Sequence, residues 1–180
     1  MQGGATQTQR GVASRTAILF RNVNRKGSPG FDPGLQRHHI LPRQLLGERC
    51  FGSFFECVGR SSVGFDDFSA NGLLLPATEK ATVRLGMPLH RGPHRRYNEV
   101  VIGRVGRIEG RWSRARRTDS AAAREEAIMR LGLLQAALRR QLLAERRRFL
   151  LNRKDPLGTG FDFTELDAMA DALWASCAPA

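Results

Sequence analysis

Histidines are the residues of this sequence whose spacing most clearly indicates chemistry. The chain has four, and they form two pairs: His38 and His39 in LQRHHILPRQ, and His90 and His94 in HRGPH. Neutral imidazole is a common ligand of zinc and related transition metals, and a catalytic metal site takes three protein ligands and keeps one position open. Three imidazoles can therefore hold one cation. The fourth, with an ordinary pKa of about 6.5, can then accept a proton from water at neutral pH.

The flanking residues predict the elements that must position these histidines. A loop rich in proline and glycine leads into the first pair. Because adjacent side chains diverge on a strand, we expect His38 and His39 where a strand ends or twists. After the turn DDFSANG, the stretch LLLP predicts a second short strand closed by Pro76, and TAILFRNV over residues 16–23 predicts another. Asn-Gly is also an ordinary turn signal.

Helices are predicted on both sides of the second strand. One should begin with Pro42 in its first turn, a short one should cover ATEKATVRLG, and Gly92 delays the next until Pro93, from which it should run through Tyr97 and Val101. The three cysteines form no close CxxC pair, so we expect them to be reduced and to contribute to packing. The predicted buried stripe of the first helix consists of Leu45, Leu46, Cys50, Phe54 and Cys57.

The last third of the chain predicts a long basic helix. Asp119 or Ser120 can cap its start, and it should run to about Asn152, a length of roughly 45–50 Å that Gly132 can interrupt. A closing helix with a capping box at Thr164 should follow. Such a long helix also predicts a possible homodimer. Its apolar positions recur at spacings of three and four and are Ile128, Leu131, Leu134, Leu138 and Leu142.

The net charge of +12 and the pI of about 11.3 predict a polyanionic partner. Residues 91–154 hold 18 of the 29 basic residues and 6 of the 17 acidic ones, so the whole excess lies in one third of the chain. A solvated helix face is the ordinary explanation of a charge run, but this concentration favours phosphate contacts, for which arginine is well suited. The candidates on the long helix are Arg139, Arg140, Arg146, Arg147 and Arg148.

The sequence contains no charged n-region of a signal peptide and no apolar run near the ~20 residues that cross a bilayer. We therefore expect no membrane partner and a cytoplasmic location, with nonstandard export as a toxin left open.

Three stretches resemble one known family. HHILP, NGLLLP and HRGPHRRYNEVV are similar to motifs of the AHH family of HNH-type nucleases over about residues 29–105, with Arg37 where the family name has alanine. The resemblance implies a bacterial source, a two-stranded hairpin and helix around one divalent metal, and hydrolysis of phosphodiester bonds. The metal is one of zinc, nickel, manganese or magnesium.

The resemblance also implies roles for individual residues. His38, His90 and His94 match the metal-binding positions, and His39 matches the general base. Asn71 matches the residue that orients the region of the base, in the catalytic set with His39. The side chains expected to contact nucleic acid are Arg37, Arg91, Arg95, Arg96, Tyr97 and Asn98.

These expectations combine into one architecture and two functions. The fold class is α+β: a ββα-metal nuclease core with mainly helical additions. We expect an N-terminal arm over residues 1–28, the nuclease core over 29–117 and a helical extension over 118–180. The leading function is a metal-dependent endonuclease whose partner is nucleic acid, double-stranded DNA in particular. The alternative is a non-catalytic nucleic-acid-binding protein in which the histidines hold a structural metal.

Overall fold

The computed structural model describes residues 16–144, 150–157, 168–169 and 172 of the 180-residue chain. Several sequence predictions lie outside these residues. They concern the stretch before residue 16, the phosphate contacts of Arg146 to Arg148, nearly all of the closing helix from Thr164, and the packing of Cys177.

A two-stranded antiparallel hairpin forms the centre of the fold. Strand β1 (Leu35–His39) pairs with β2 (Gly72–Pro76) in a register that sets His38 opposite Leu73 and His39 opposite Gly72. Alternation along β1 buries His38 and leaves His39 half-buried on the other face at the end of the strand. The predicted strands at the first histidine pair and at LLLP are therefore confirmed, and the second begins one residue earlier than predicted, at Gly72.

The connection between the strands differs from the single helix predicted from Pro42. Two 3-10 turns, Arg43–Leu46 and Arg49–Phe51, precede helix α1 (Gly52–Val58), and α2 (Phe68–Asn71) leads into β2. Gly47, which closes the first turn, has little helix propensity, and α1 starts only at Gly52.

Because α1 starts later than predicted, the side chains buried in the core differ from the predicted stripe. Of the predicted stripe, Leu45 and Phe54 are buried and Leu46 is partly buried, whereas Cys50 and Cys57 are exposed. The prediction that these two cysteines contribute to packing is wrong. The residues buried beside Phe54 are Phe51, Phe55 and Val58.

Within residues 77–144, three helices follow β2. Helix α3 (Glu79–Leu85) confirms the short helix predicted there, and α4 (Arg95–Ala115) begins two residues after Pro93, with His94 as its N-cap. Helix α5 (Ser120–Leu143) is capped by Asp119, whose carboxylate accepts the Ala122 N–H at 2.9 Å. α5 runs without interruption through Gly132.

Helix α5 is shorter than predicted. It ends at Leu143 instead of near Asn152, which gives a length of about 36 Å. Residues 150–157 form no helix, and Leu151 packs into the hydrophobic core, 5% exposed. Burial of this leucine and the side-chain contacts of its neighbours offset what a continued exposed helix would gain.

Helices α4 and α5 enclose one core with α1 and the hairpin. On α4, buried residues recur every three or four positions from Tyr97 to Trp112, and Phe54 of α1 meets Trp112 edge-to-face with ring centroids 5.2 Å apart. Of the predicted stripe of α5, Ile128 is partly buried and Leu131, Leu134, Leu138 and Leu142 are buried. The stripe that suggested dimerisation therefore packs within its own chain.

Residues 16–23 do not form the predicted strand. Leu19 makes one isolated bridge to Asp67, and Phe20–Asn22 is a 3-10 turn that lies against the hairpin. Among the described residues the sheet consists of β1 and β2, and this stretch does not join it. None of the described helices combines the length and the apolar character that crossing a bilayer requires.

Burial of the α5 stripe can be tested on two leucines of one helix. Leu138 is fully buried and Leu143 is 46% exposed. We expect Leu138→Ala to lower the free energy of unfolding by about 2–5 kcal/mol, because it leaves a cavity. Leu143→Ala should change it by less than about 0.5 kcal/mol. Urea denaturation measures both, and an equal loss for the two variants would contradict this packing.

Candidate metal centre and active site

Three imidazoles from separate segments converge on one point. His38 comes from β1, His90 from the loop after α3, and His94 from the N-cap of α4, and one ligand nitrogen of each lies within 4.8 Å of the others. Ring centroids are 4.9 Å apart for His38 and His90 and 4.3 Å apart for His90 and His94. Three nitrogens around a tetrahedral ion with bonds of ~2.1 Å stand about 3.4 Å apart, so small side-chain rotations close the cluster around a cation.

The nitrogens of this cluster carry lone pairs that the protein leaves open. His38 Nε2 and His94 Nδ1 are buried without a hydrogen-bond partner among the described residues. Nδ1 of His90 lies 3.3 Å from Gln36 Oε1. Since an amide oxygen only accepts, Nδ1 carries the proton and Nε2 is left as the possible ligand.

Burial keeps these imidazoles neutral. It lowers the pKa of His38 well below its ordinary value, and the positive charge that His90 and His94 would carry lowers it further. Burial, followed by His94, lowers the pKa of His90 to about 4. The pKa of His94 is lowered by burial, although a hydrogen bond to the backbone of Leu151 opposes the shift. Neutral imidazole is the form that binds a cation.

Tyr97 packs against His38, one of the three cluster histidines. Its hydroxyl donates to the Ile40 carbonyl at 2.7 Å, and its ring meets the His38 ring at 5.1 Å. Complete burial raises the pKa of Tyr97, so the hydroxyl stays protonated and remains a donor. Tyr97 was predicted to contact nucleic acid, but its side chain is 2% exposed. That prediction is wrong, because the first turn of α4 directs this ring into the core.

The loop that carries His90 and His94 is held at several points. The His90 N–H donates to the Pro76 carbonyl at the end of β2 at 2.6 Å. Residues 150–157, which we call the C-terminal strap, supply further contacts. The Asp155 carboxylate accepts the Leu89 N–H at 2.8 Å, and the Asn152 amide donates to the Arg91 carbonyl. The strap therefore anchors the segment that bears two of the three cluster histidines.

His39 lies outside the cluster and has a different environment. Its ring stacks on Phe20 with centroids 3.8 Å apart and planes 3° from parallel. Phe20 is itself fixed, since Arg37 donates to its carbonyl at 2.8 Å and Phe68 meets its ring edge-to-face. Burial and then Arg43 lower the pKa of His39. A half-buried neutral imidazole of this kind can accept a proton.

Asn71 is completely buried beneath the end of β1. Its Oδ1 accepts the Leu41 N–H at 2.7 Å, and its Nδ2 donates to the carbonyls of Leu41 and Phe65. Its backbone carbonyl also accepts the Ile40 N–H at 2.8 Å. The side chain thus fixes the residues that follow His39 without contacting that imidazole. Gly72, the next residue, has no room for a Cβ, because the Phe68 ring would lie 2.2 Å from it.

Arginines in the basic block divide into two groups. Arg91, Arg95 and Arg96 are exposed beside His94. Others serve the framework: Arg124 donates to the carbonyls of Cys57 and Val58 at the end of α1. Arg139 donates to the Ser69 and Ala70 carbonyls at the end of α2, so part of its guanidinium serves the framework, and its phosphate contact stays a prediction. Arg37 is exposed on β1, and Asn98 bonds Gln44 Oε1 at 3.1 Å.

The antiparallel hairpin, the packed helices and the three-histidine cluster are consistent with the core of an HNH-type nuclease. A family model described as a nuclease family of the HNH/ENDO VII superfamily with conserved AHH matches residues 19–140, about two thirds of the chain. The chain belongs to this AHH family. The match extends on both sides of the resembling motifs, from the Leu19 bridge into α5. Comparisons with curated proteins and with solved structures give no match.

Sequence reasoning missed three groups around the site. Gln36 could have been found, because it shares a face of β1 with His38 two residues away. No local pattern predicts the stacking of Phe20 on His39, since the composition of TAILFRNV is that of a strand. Asn152 and Asp155 reach their partners across 61 and 66 residues, a separation that no local pattern encodes.

The framework role of Asn71 predicts a loss of stability. Asn71→Ala would leave the Leu41 N–H and two carbonyls buried without partners, so we expect the free energy of unfolding to fall by about 2–4 kcal/mol. The matched control is Asn98→Ala, which removes one exposed bond and should cost less than about 0.5 kcal/mol. Urea denaturation compares the two. Equal stability of the Asn71 variant and the wild type would contradict this framework role of the Asn71 hydrogen bonds.

Proposed function

We propose that this chain is a divalent-metal-dependent endonuclease that hydrolyses phosphodiester bonds of double-stranded DNA. The nuclease family supplies the reaction class. The observation that carries the metal dependence is the cluster of three neutral imidazoles, with buried lone pairs that no described residue satisfies. An orphaned buried acceptor costs about 1–3 kcal/mol, which a bound cation would offset.

The donor set favours a borderline transition ion. Three imidazoles suit zinc or nickel better than manganese or magnesium, which prefer oxygen ligands, and magnesium also retains several waters. When bound, such an ion polarises a phosphate oxygen and neutralises the charge that develops on the leaving oxygen. His38, His90 and His94 would hold it, and Tyr97 would keep His38 in position through its contact with that ring.

His39 is the proposed general base. It is the histidine that the cluster does not use, it ends β1 next to His38, and burial favours its neutral form. It would take a proton from the attacking water. Phe20 restricts the ring to one orientation, and Asn71 fixes the chain that follows. Asn71 is therefore proposed as a positioning residue and not as a group that touches substrate.

The exposed arginines beside His94 would neutralise phosphates near the cut. Arg91, Arg95 and Arg96 lie at the N-terminal end of α4, where the helix dipole adds a favourable field for an anion. Arg37, Asn98 and Arg140 remain proposed contacts of lower rank. The first two already have protein partners, and Arg140 lies in the last turn of α5.

A non-catalytic protein with a structural metal is the second candidate. A structural zinc site has four protein ligands, and cysteine is common among them. Within the described residues the cluster provides three ligands, all histidine. His94 also borders an open cleft. Both features favour a site with a free coordination position. Homodimerisation through α5 remains a separate prediction, for which Met129 and Leu143 are the exposed apolar residues of that helix.

Metal binding should depend on three histidines and not on the fourth. His38→Ala, His90→Ala and His94→Ala each remove a ligand, so we expect the purified variants to lose the roughly one equivalent of metal that the wild type carries. His39→Ala should keep it. Elemental analysis and titration with zinc, nickel and manganese measure both. Retention of metal by His38→Ala together with its loss in His39→Ala would reverse the assignment within the doublet.

Cleavage should depend on both sets of histidines. His39→Ala should slow plasmid nicking by about 100-fold or more while metal stays bound, the usual scale for loss of a general base. Chelator should abolish nicking, and re-added metal should restore it. An RNA of matched length, cut more slowly than the plasmid, would support DNA as the substrate. Wild-type rates in His39→Ala would reject the mechanism, and faster RNA cleavage would reject the DNA assignment.

A further inference from the structure

A cleft of about 820 Å³ opens between the start of α4 and the C-terminal strap. One wall consists of residues 91–99 and the other of residues 150–154, and His94 lies in the lining. The cleft therefore begins at the candidate metal centre and leads away from it. Its volume is in the range of sites that hold a drug-sized ligand, so it can take the backbone of one nucleic-acid strand, with the second strand of a duplex outside it.

The charge of the cleft comes from both walls. Arg153 and Lys154 of the strap are exposed and face the same space as the arginines at the start of α4. Glu99 is the acidic residue of the lining. Cations on two facing walls create a field that attracts a polyanion and orients it along the cleft. A solvated charge run on one helix face would not produce this arrangement.

The second wall is a built part of the structure. Leu151 is buried in the core, Asn152 bonds the Arg91 carbonyl, and Asp155 accepts the Leu89 and Leu157 N–H groups. The Asn152 Oδ1 also accepts the Lys154 N–H at 2.8 Å. These contacts fix the backbone of the strap and leave the side chains of Arg153 and Lys154 directed to solvent.

We propose that the C-terminal strap forms the second wall of a phosphate-binding cleft, in which Arg153 and Lys154 bind the backbone of one strand beside the cut site. The strap lies beyond residues 19–140, the range that the family model matches. The inference rests on the proposed nuclease function only for the position of the cut.

Salt dependence of binding tests the proposal separately from cleavage. Binding of a short labelled duplex to the full-length protein is followed by fluorescence anisotropy, with excess chelator to prevent cutting. In Arg153→Gln/Lys154→Gln, the slope of log K against log salt should shrink by about 1.8 for duplex DNA, and by about 1.4 for a single-stranded oligonucleotide. Each lost phosphate contact removes the counterion release that it caused.

Two further variants control for general charge. Arg114→Gln/Arg117→Gln removes the same charge near the other end of α4, roughly 30 Å from His94, and should leave the slope unchanged. Glu99→Gln removes the acidic group of the cleft and should tighten binding. An unchanged slope in the strap variant, an equal loss in the control, or a loss on duplex DNA alone would overturn the proposal. A reduced slope in a protein that never cuts DNA would support the cleft and reject the nuclease function.

Discussion

The buried amide of Asn71 is the interaction on which the rest of the site depends. It joins the chain leaving β1, the loop around Phe65 and, through Gln135 at 3.3 Å, helix α5. A side chain with two donors and one oxygen satisfies backbone groups that no regular element pairs at this junction. Both strands of the hairpin end or begin here, so the depth and direction of the adjacent histidines follow from one set of hydrogen bonds.

The imidazole cluster lowers the stability of the fold locally, and the packing around it tolerates this loss. Buried imidazoles with open lone pairs are less stable than paired ones, and mutual repulsion prevents their joint protonation. The packing that surrounds them is apolar and aromatic, with Tyr97 beneath His38. This packing keeps the imidazoles neutral. In a core where every imidazole nitrogen had a hydrogen-bond partner, no lone pair would be left to bind a cation. The fold is thus less stable at this point, and the imidazoles keep lone pairs that can bind a cation.

The sequence allowed prediction of those features that short-range patterns encode. Both strands of the hairpin, the short helix α3, the cap of α5 and the grouping of the histidines follow from alternation, helix-forming composition, capping residues and spacing. The end of α5 could not be predicted in this way, because Leu151 gains more from the core than helix propensity offers it. The inward turn of Tyr97 and the framework bonds of Arg139 depend equally on partners distant in sequence. Local patterns thus identified the residues of the candidate site, whereas tertiary contacts determine the role of each side chain.

The distance along the chain between the second histidine pair and the strap has a consequence for protein synthesis. The strap bonds span 61 and 66 residues, and a ribosome adds ~5–20 residues per second, so the loop exists for about 3–12 s before its anchors are made. A nascent or prematurely terminated chain that ends between residues 94 and 150 contains all four histidines but not these anchors. The segment that bears His90 and His94 therefore acquires these anchors only after residue 155 has been synthesised, well after the histidines themselves.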